Sequence, residues 1–159
     1  MRSFFGFAIV TVFLASCDDQ RVFEKNNDFN SGHWLIGEKP EFEFDIQDSL
    51  QGYNLYCNVR NSLDYPYARL FITYYLMDSS GTVLQKDLVQ QMLFDEKTGE
   101  PFGESGLGDL YDHQILLRKN HRFPYAGRYR IAFEQYMRQD TLAGVVAVGV
   151  RVEKSAPAQ

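Results

Sequence analysis

Glu41-Phe42-Glu43-Phe44-Asp45-Ile46 decides how the rest of the chain is read. Successive side chains of an extended strand point to opposite faces, so Phe42, Phe44 and Ile46 share one face and the three acids share the other. That is the pattern of a strand with one face in a core and the other in water. After a turn over Asp48 to Gly52, Tyr53-Asn54-Leu55-Tyr56-Cys57-Asn58-Val59-Arg60 repeats it, with Tyr53, Leu55, Cys57 and Val59 inward. Cys57 thereby reads as a small buried apolar residue and not as a nucleophile.

Working outward, the same grammar recurs. Leu70 to Met77 (LFITYYLM) is apolar on both faces and predicts a central strand. Ser79-Ser80-Gly81 turns the chain, and Val83 to Phe94 is expected as its hairpin partner, with a bulge or break near Asp87. Ile115 to Phe123 predicts a strand with Arg118, Asn120 and Arg122 outward, Tyr129 to Met137 another, and Gly144 to Val152 the last, with Val146, Val148, Val150 and Val152 on one face. Upstream, Val22 to Lys25 fits an edge strand, Asn26 to Gly32 a loop, and Trp34, the only tryptophan, a core plug. About eight short strands with turns between them and no convincing helix predict an all-β fold, an antiparallel β-sandwich of immunoglobulin-like or jelly-roll-like type over residues 22–154. Residues 155–159 read as a frayed tail.

The N-terminus has a different grammar. Arg2 is followed by an apolar run from Phe4 to Leu14, too short to span a bilayer comfortably, which takes about 20 residues. Leu14-Ala15-Ser16-Cys17 then supplies a branched residue, two small residues and a cysteine, the layout of a bacterial lipobox. Residues 1–16 are therefore expected to be a lipoprotein signal peptide, and residues 17–21 the lipidated Cys17 with a short tether. Attachment to a membrane through lipid on Cys17 follows. The expected place is the cell envelope, with the outer membrane favoured, at its periplasmic face or on the cell surface.

Composition narrows the remaining options. The chain of 159 residues has a formal net charge of −5 and no basic run, which argues against nucleic acid as a partner. Only two cysteines occur, Cys17 and Cys57, so an exported domain has no disulfide framework and must rely on its core. His33, His113 and His121 do not stand at metal-ligand spacing, and no metal or cofactor is expected. Asp109, Asp112 and His113, beside a Gly-rich stretch, read as a polar turn entering a strand. Residues 99–108 (GEPFGESGLG) lack the Gly-Lys-Ser/Thr ending of a phosphate loop, and no Gly-x-Ser-x-Gly elbow occurs. Glu41 and Glu43 fit a solvated face better than a catalytic pair. No small-molecule substrate is expected, and the chain reads as a non-enzyme. Tyr56, Tyr65, Tyr67, Tyr75 and Tyr136 are candidates for an exposed aromatic row, which would suit a surface module that binds carbohydrate or peptide.

Several long segments resemble the gliding motility-associated lipoprotein GldH family of the Bacteroidetes. They are the lipobox ending in Cys17, VFEKNNDF (22–29), Trp34, YNLYCNVRNSLDYPYARLF (53–71), GLGDLYDHQILLRKNHRFPYAGRYRIAFEQYMR (106–138) and LAGVVAVGVRVEK (142–154). The resemblance implies a non-catalytic accessory lipoprotein that works with other proteins of the gliding machinery. Arg60, Tyr65 and Arg138, polar or aromatic residues near strand ends within these segments, are the candidate partner surface.

Overall fold

The computed structural model describes residues 19–156. The expected signal peptide, Cys17 and most of the expected tail lie outside the described residues. Eleven strands and no helix are found among the described residues: β1 (Arg21–Asp28), β2 (His33–Leu35), β3 (Glu41–Ile46), β4 (Tyr53–Ser62), β5 (Arg69–Asp78), β6 (Val83–Met92), β7 (Glu104–Ser105), β8 (Leu110–His121), β9 (Gly127–Gln135), β10 (Thr141–Ala143) and β11 (Val145–Lys154). Eight are long, matching the eight expected; β2, β7 and β10 have two or three residues each.

The long strands form two antiparallel sheets. One has the order β1-β11-β4-β8-β7, the other β3-β9-β5-β6, and β10 pairs with β2 in a separate small sheet. The two large sheets pack face to face as a β-sandwich. β3 shows why: Phe42, Phe44 and Ile46 are buried, while Glu41, Glu43 and Asp45 are exposed. Across the gap, Phe44 meets Phe23 of β1, with ring centroids 6.0 Å apart. The inward residues of β4 (Tyr53, Leu55, Cys57, Val59) and of β11 (Val148, Val150, Val152) complete the core with Ile131 and Phe133 of β9. Each such side chain stabilises the fold by about 2 kcal/mol relative to exposure. Buried tyrosines keep their hydroxyls satisfied: Tyr53 donates to the carbonyl of Asp48 (2.8 Å) and Tyr129 to that of Tyr125 (2.8 Å).

Trp34 is fully buried, as expected of a plug. It stacks on Phe29 with centroids 5.4 Å apart, and its indole N–H donates to the carbonyl of Glu38 at 2.8 Å. With Leu142 opposite it in the small sheet, it closes one end of the sandwich. Gly144, next to this cap, has φ +77°, and a Cβ there would lie 2.3 Å from the backbone nitrogen of Tyr65, so only glycine fits.

Five expectations need correction. The loop expected from Asn26 is strand through Asp28, because β1 continues to pair with β11 although its side chains face water. β8 begins at Leu110, not Ile115. The irregularity in the β5–β6 hairpin lies opposite the Leu76/Met77 step and not near Asp87. Arg118 does not point outward: a bulge where β8 pairs with Leu55 and Tyr56 reverses its phase, and its guanidinium lies 3.7 Å from the Asp87 carboxylate in the opposing sheet. Ser155, expected in the tail, is held by its N–H to the carbonyl of Gly52 and by its hydroxyl to Asn120.

Candidate functional site

The outward faces of the two sheets differ in chemistry. On the five-stranded sheet, backbone register aligns Asn26 of β1 with Gly149 of β11, Gly149 with Asn58 of β4, and Asn58 with Gln114 of β8. Four strands thus place a row of side-chain amides, interrupted by one glycine, across the sheet. The glycine is required there. A Cβ on Gly149 would lie 1.9 Å from the side-chain oxygen of Asn26, which occupies that space.

Charged pairs border this row on both sides. One neighbouring row contains Asp28, Ala147, Arg60 and Asp112, and the other Glu24, Arg151, Tyr56 and Leu116. Arg60 donates to both carboxylate oxygens of Asp112, at 2.8 and 3.1 Å. Glu24 accepts from Arg151 (2.9 Å), Arg21 (3.0 Å) and the amide of Asn58 (2.9 Å). Burial works against ionisation of Glu24, but the hydrogen bonds from Arg21 and Asn58 and the charge of Arg151 prevail and hold its carboxyl below the ordinary value. The loop between β6 and β8 rises at the end of the row, bringing Phe102, Gly103 and Glu104 beside it. With this loop, Glu24, Asn26, Asn58, Arg60, Asp112 and Gln114 line a groove of about 500 Å³. His113 lies beneath, on the inward side of β8. Its Nε2 is buried without a hydrogen-bond partner, and burial pulls its pKa below the ordinary imidazole value against the nearby Asp112 charge.

The outer face of the four-stranded sheet carries ion pairs between β3 and β9, such as Arg130 with Glu41, and an apolar patch along β6. Leu88 of β6 and Tyr136, just past β9, are 52% and 53% exposed. They flank a depression of about 320 Å³ with Thr73, Tyr75 and Lys86. Val83 and Leu84 at the start of β6 are also exposed. The Tyr75 hydroxyl donates to Glu134 at 2.6 Å, and Lys39 pairs with the same carboxylate at 2.9 Å. The Tyr75 hydrogen bond, aided by Lys39, holds the Glu134 carboxyl below the ordinary value.

The structure does not bring Arg60, Tyr65 and Arg138 together. Arg60 sits in the polar groove. Tyr65 is only 4% exposed; its hydroxyl donates to the carbonyl of Arg69 at 2.7 Å, and its ring stacks on Phe94, so its side chain offers a partner almost nothing. Arg138 is exposed, with φ +57°, in the turn after β9, close in sequence to Tyr136. The five tyrosines likewise form no single row, since Tyr65 is buried and Tyr56 and Tyr136 lie on different sheets. Cys57 is fully buried, and burial pushes its thiol pKa far up, which leaves it unreactive. Asp112 is committed to Arg60, and no cluster suited to a metal ion occurs among the described residues. Sequence reasoning missed the amide row, whose members are far apart in the chain and meet only through strand register.

Fold and surface together define an all-β sandwich domain with a polar groove on one outer face and, on the other, an exposed apolar patch beside rows of ion pairs. Comparison with known proteins gives the class its family: the chain belongs to the GldH lipoprotein family, whose model matches residues 21–152. It is 31% identical to the gliding motility lipoprotein GldH homolog of Christiangramia forsetii, over 98% of this chain and 99% of that one. It is 26% identical to the gliding motility lipoprotein GldH of Flavobacterium johnsoniae, over 92% of each chain. Among solved structures, the arabinose-bound MgGH51 α-L-arabinofuranosidase matches 77% of this chain and 19% of its own length, with a TM-score of 0.40 and 11% identity. At that score the likeness bears on neither fold nor function.

Proposed function

We propose that this protein is a lipid-anchored accessory component of the gliding machinery that acts by holding protein partners and not by catalysis. Family membership is the observation that carries this reading, together with the lipobox at Cys17. The anchor is physical: each buried acyl methylene contributes about 0.8 kcal/mol, and several chains on one cysteine make attachment durable. The outer membrane is its place in this proposal, at the periplasmic face or on the cell surface. Binding without catalysis is favoured by the groove's chemistry, where Glu24 and Asp112 are each engaged by arginines.

The exposed apolar patch around Leu88 and Tyr136, on the outer side of the four-stranded sheet, is the surface for a protein of the machinery. Exposed Leu88 and Tyr136 offer apolar area beside a depression, the arrangement that interface anchors fill. Arg138 borders the same region in the chain and supplies a charge at its rim. Leu88→Asp tests the assignment, since the residue is exposed and the substitution leaves the core untouched. The variant is expected to remain lipidated and folded, to lose the partners that co-purify with the wild-type lipoprotein from its native envelope, and to lose gliding. A Leu88→Asp strain that glides and retains those partners would refute it.

A further inference from the structure

We propose that the groove on the five-stranded sheet, opposite the face assigned above and independent of it, binds a neutral oligosaccharide. The argument begins with the amides. Asn26 and Gln114 make no side-chain hydrogen bond among the described residues, and Asn58 uses only its N–H, toward Glu24. Each amide presents a donor and an acceptor, and a sugar hydroxyl is likewise both, so each pairs with the other without leaving a charge uncompensated. The arginines bordering the row are already paired, Arg60 with Asp112 and Arg151 with Glu24, and the remaining bordering charges, Asp28 and Glu104, are acids. Neither an acidic glycan nor a polyanion finds a free cation in this row.

The dimensions agree. Strands in a sheet lie about 4.8 Å apart, so the row from Asn26 to Gln114, across three strand spacings, is roughly 14 Å long. That accommodates about three linked sugar units lying across the strands. Gly149 leaves room for the Asn26 side chain to lie over it, toward Asn58. Phe102, 56% exposed on the wall of the groove, offers an aromatic face for the apolar C–H side of a sugar ring. A peptide is less well served. Extended peptides bind through the backbone groups of a sheet edge and through side-chain pockets; this groove crosses the middle of a sheet and presents side-chain amides with one aromatic wall.

The test is calorimetric titration of the full-length lipoprotein, held in a non-glycosidic detergent, with neutral tetrasaccharides that differ in sugar and linkage, including cellotetraose, maltotetraose and xylotetraose. Binding of at least one is expected, weakened about tenfold or more by Asn26→Ala combined with Gln114→Ala. Neither side chain makes a hydrogen bond among the described residues, so the melting temperature is expected to hold. Should the double variant melt lower, Phe102→Ala, on an exposed loop, is expected to show the same loss. No heat from any tetrasaccharide at millimolar concentration overturns the proposal. So does binding that both variants leave unchanged, or capture by the groove of an envelope peptide in place of any sugar.

Discussion

Replacing Trp34 by Phe probes the closure of the sandwich at one end. The change removes the indole N–H, which donates to the carbonyl of Glu38, and part of the ring surface stacked on Phe29. The hydrogen bond accounts for about 1 kcal/mol, and the lost packing of a fully buried ring segment for about 1–2 kcal/mol more. The expected loss is thus about 2–3 kcal/mol. For a domain of this size, each kcal/mol lowers the melting temperature by roughly 2–4 °C, so the midpoint should fall by about 5–10 °C. Because the chain has one tryptophan, intrinsic fluorescence of the wild type reports this site alone. Emission should be that of an indole shielded from water and resist acrylamide quenching until the global transition, while circular dichroism follows both proteins. A Phe variant that melts within about 1 °C of the wild type, or a wild-type indole freely quenched in the folded state, would refute the account of Trp34 as the closing plug.

Two other perturbations reach different parts of the molecule. Cys17→Ala is expected to abolish lipid attachment and normal processing; undiminished incorporation of labelled palmitate would exclude the lipobox assignment. Glu134→Gln keeps an acceptor for Tyr75 but removes the carboxylate that Tyr75 and Lys39 stabilise. The wild-type carboxyl titrates below its ordinary value of 4.5 in the folded state, so its contribution is complete above pH 4.5 and is lost as pH falls through the lower folded value. Urea midpoints measured from pH 7 to pH 3 should therefore fall less steeply at the acid end in the variant; parallel curves would mean that the carboxylate has no stabilising partners.

Much of the fold is written in the alternation of residues. Phe42, Phe44 and Ile46, and then Tyr53, Leu55, Cys57 and Val59, show their buried face because one side of each strand meets a core and the other meets water. Where that contrast fails, the sequence is silent. Asn26 to Asp28 resemble a loop because an edge strand exposed on both faces has nothing to alternate. Arg118 reads as outward in the sequence because a bulge, which inserts one residue and inverts the phase, leaves no mark in composition. Tyr65 is polar at one atom only, and that atom finds the carbonyl of Arg69, so it lies buried where a partner surface was expected. The amide row depends on four strands whose sequence separations span most of the domain, and alternation within each strand says nothing of the register between them.

The position of β1 has a mechanical consequence. Arg21 is four residue steps beyond Cys17, and a fully extended chain spans at most about 3.5 Å per step, so the tether reaches at most roughly 14 Å. With lipid on Cys17, as proposed, the end of the sandwich carrying Arg21, Tyr53 and Lys154 would be the one beside the bilayer; the Trp34 cap lies at the opposite end. If a partner drags the domain while lipid on Cys17 holds it, tension enters at Arg21 and runs along the axis of β1. The hydrogen bonds joining β1 to β11 lie perpendicular to that axis and take the load together, in shear, instead of opening one at a time. Phe23, lodged against the core, and Glu24, clasped by Arg151, resist the same sliding. A strand with little buried surface of its own is thus placed where a tethered protein under traction needs its firmest grip.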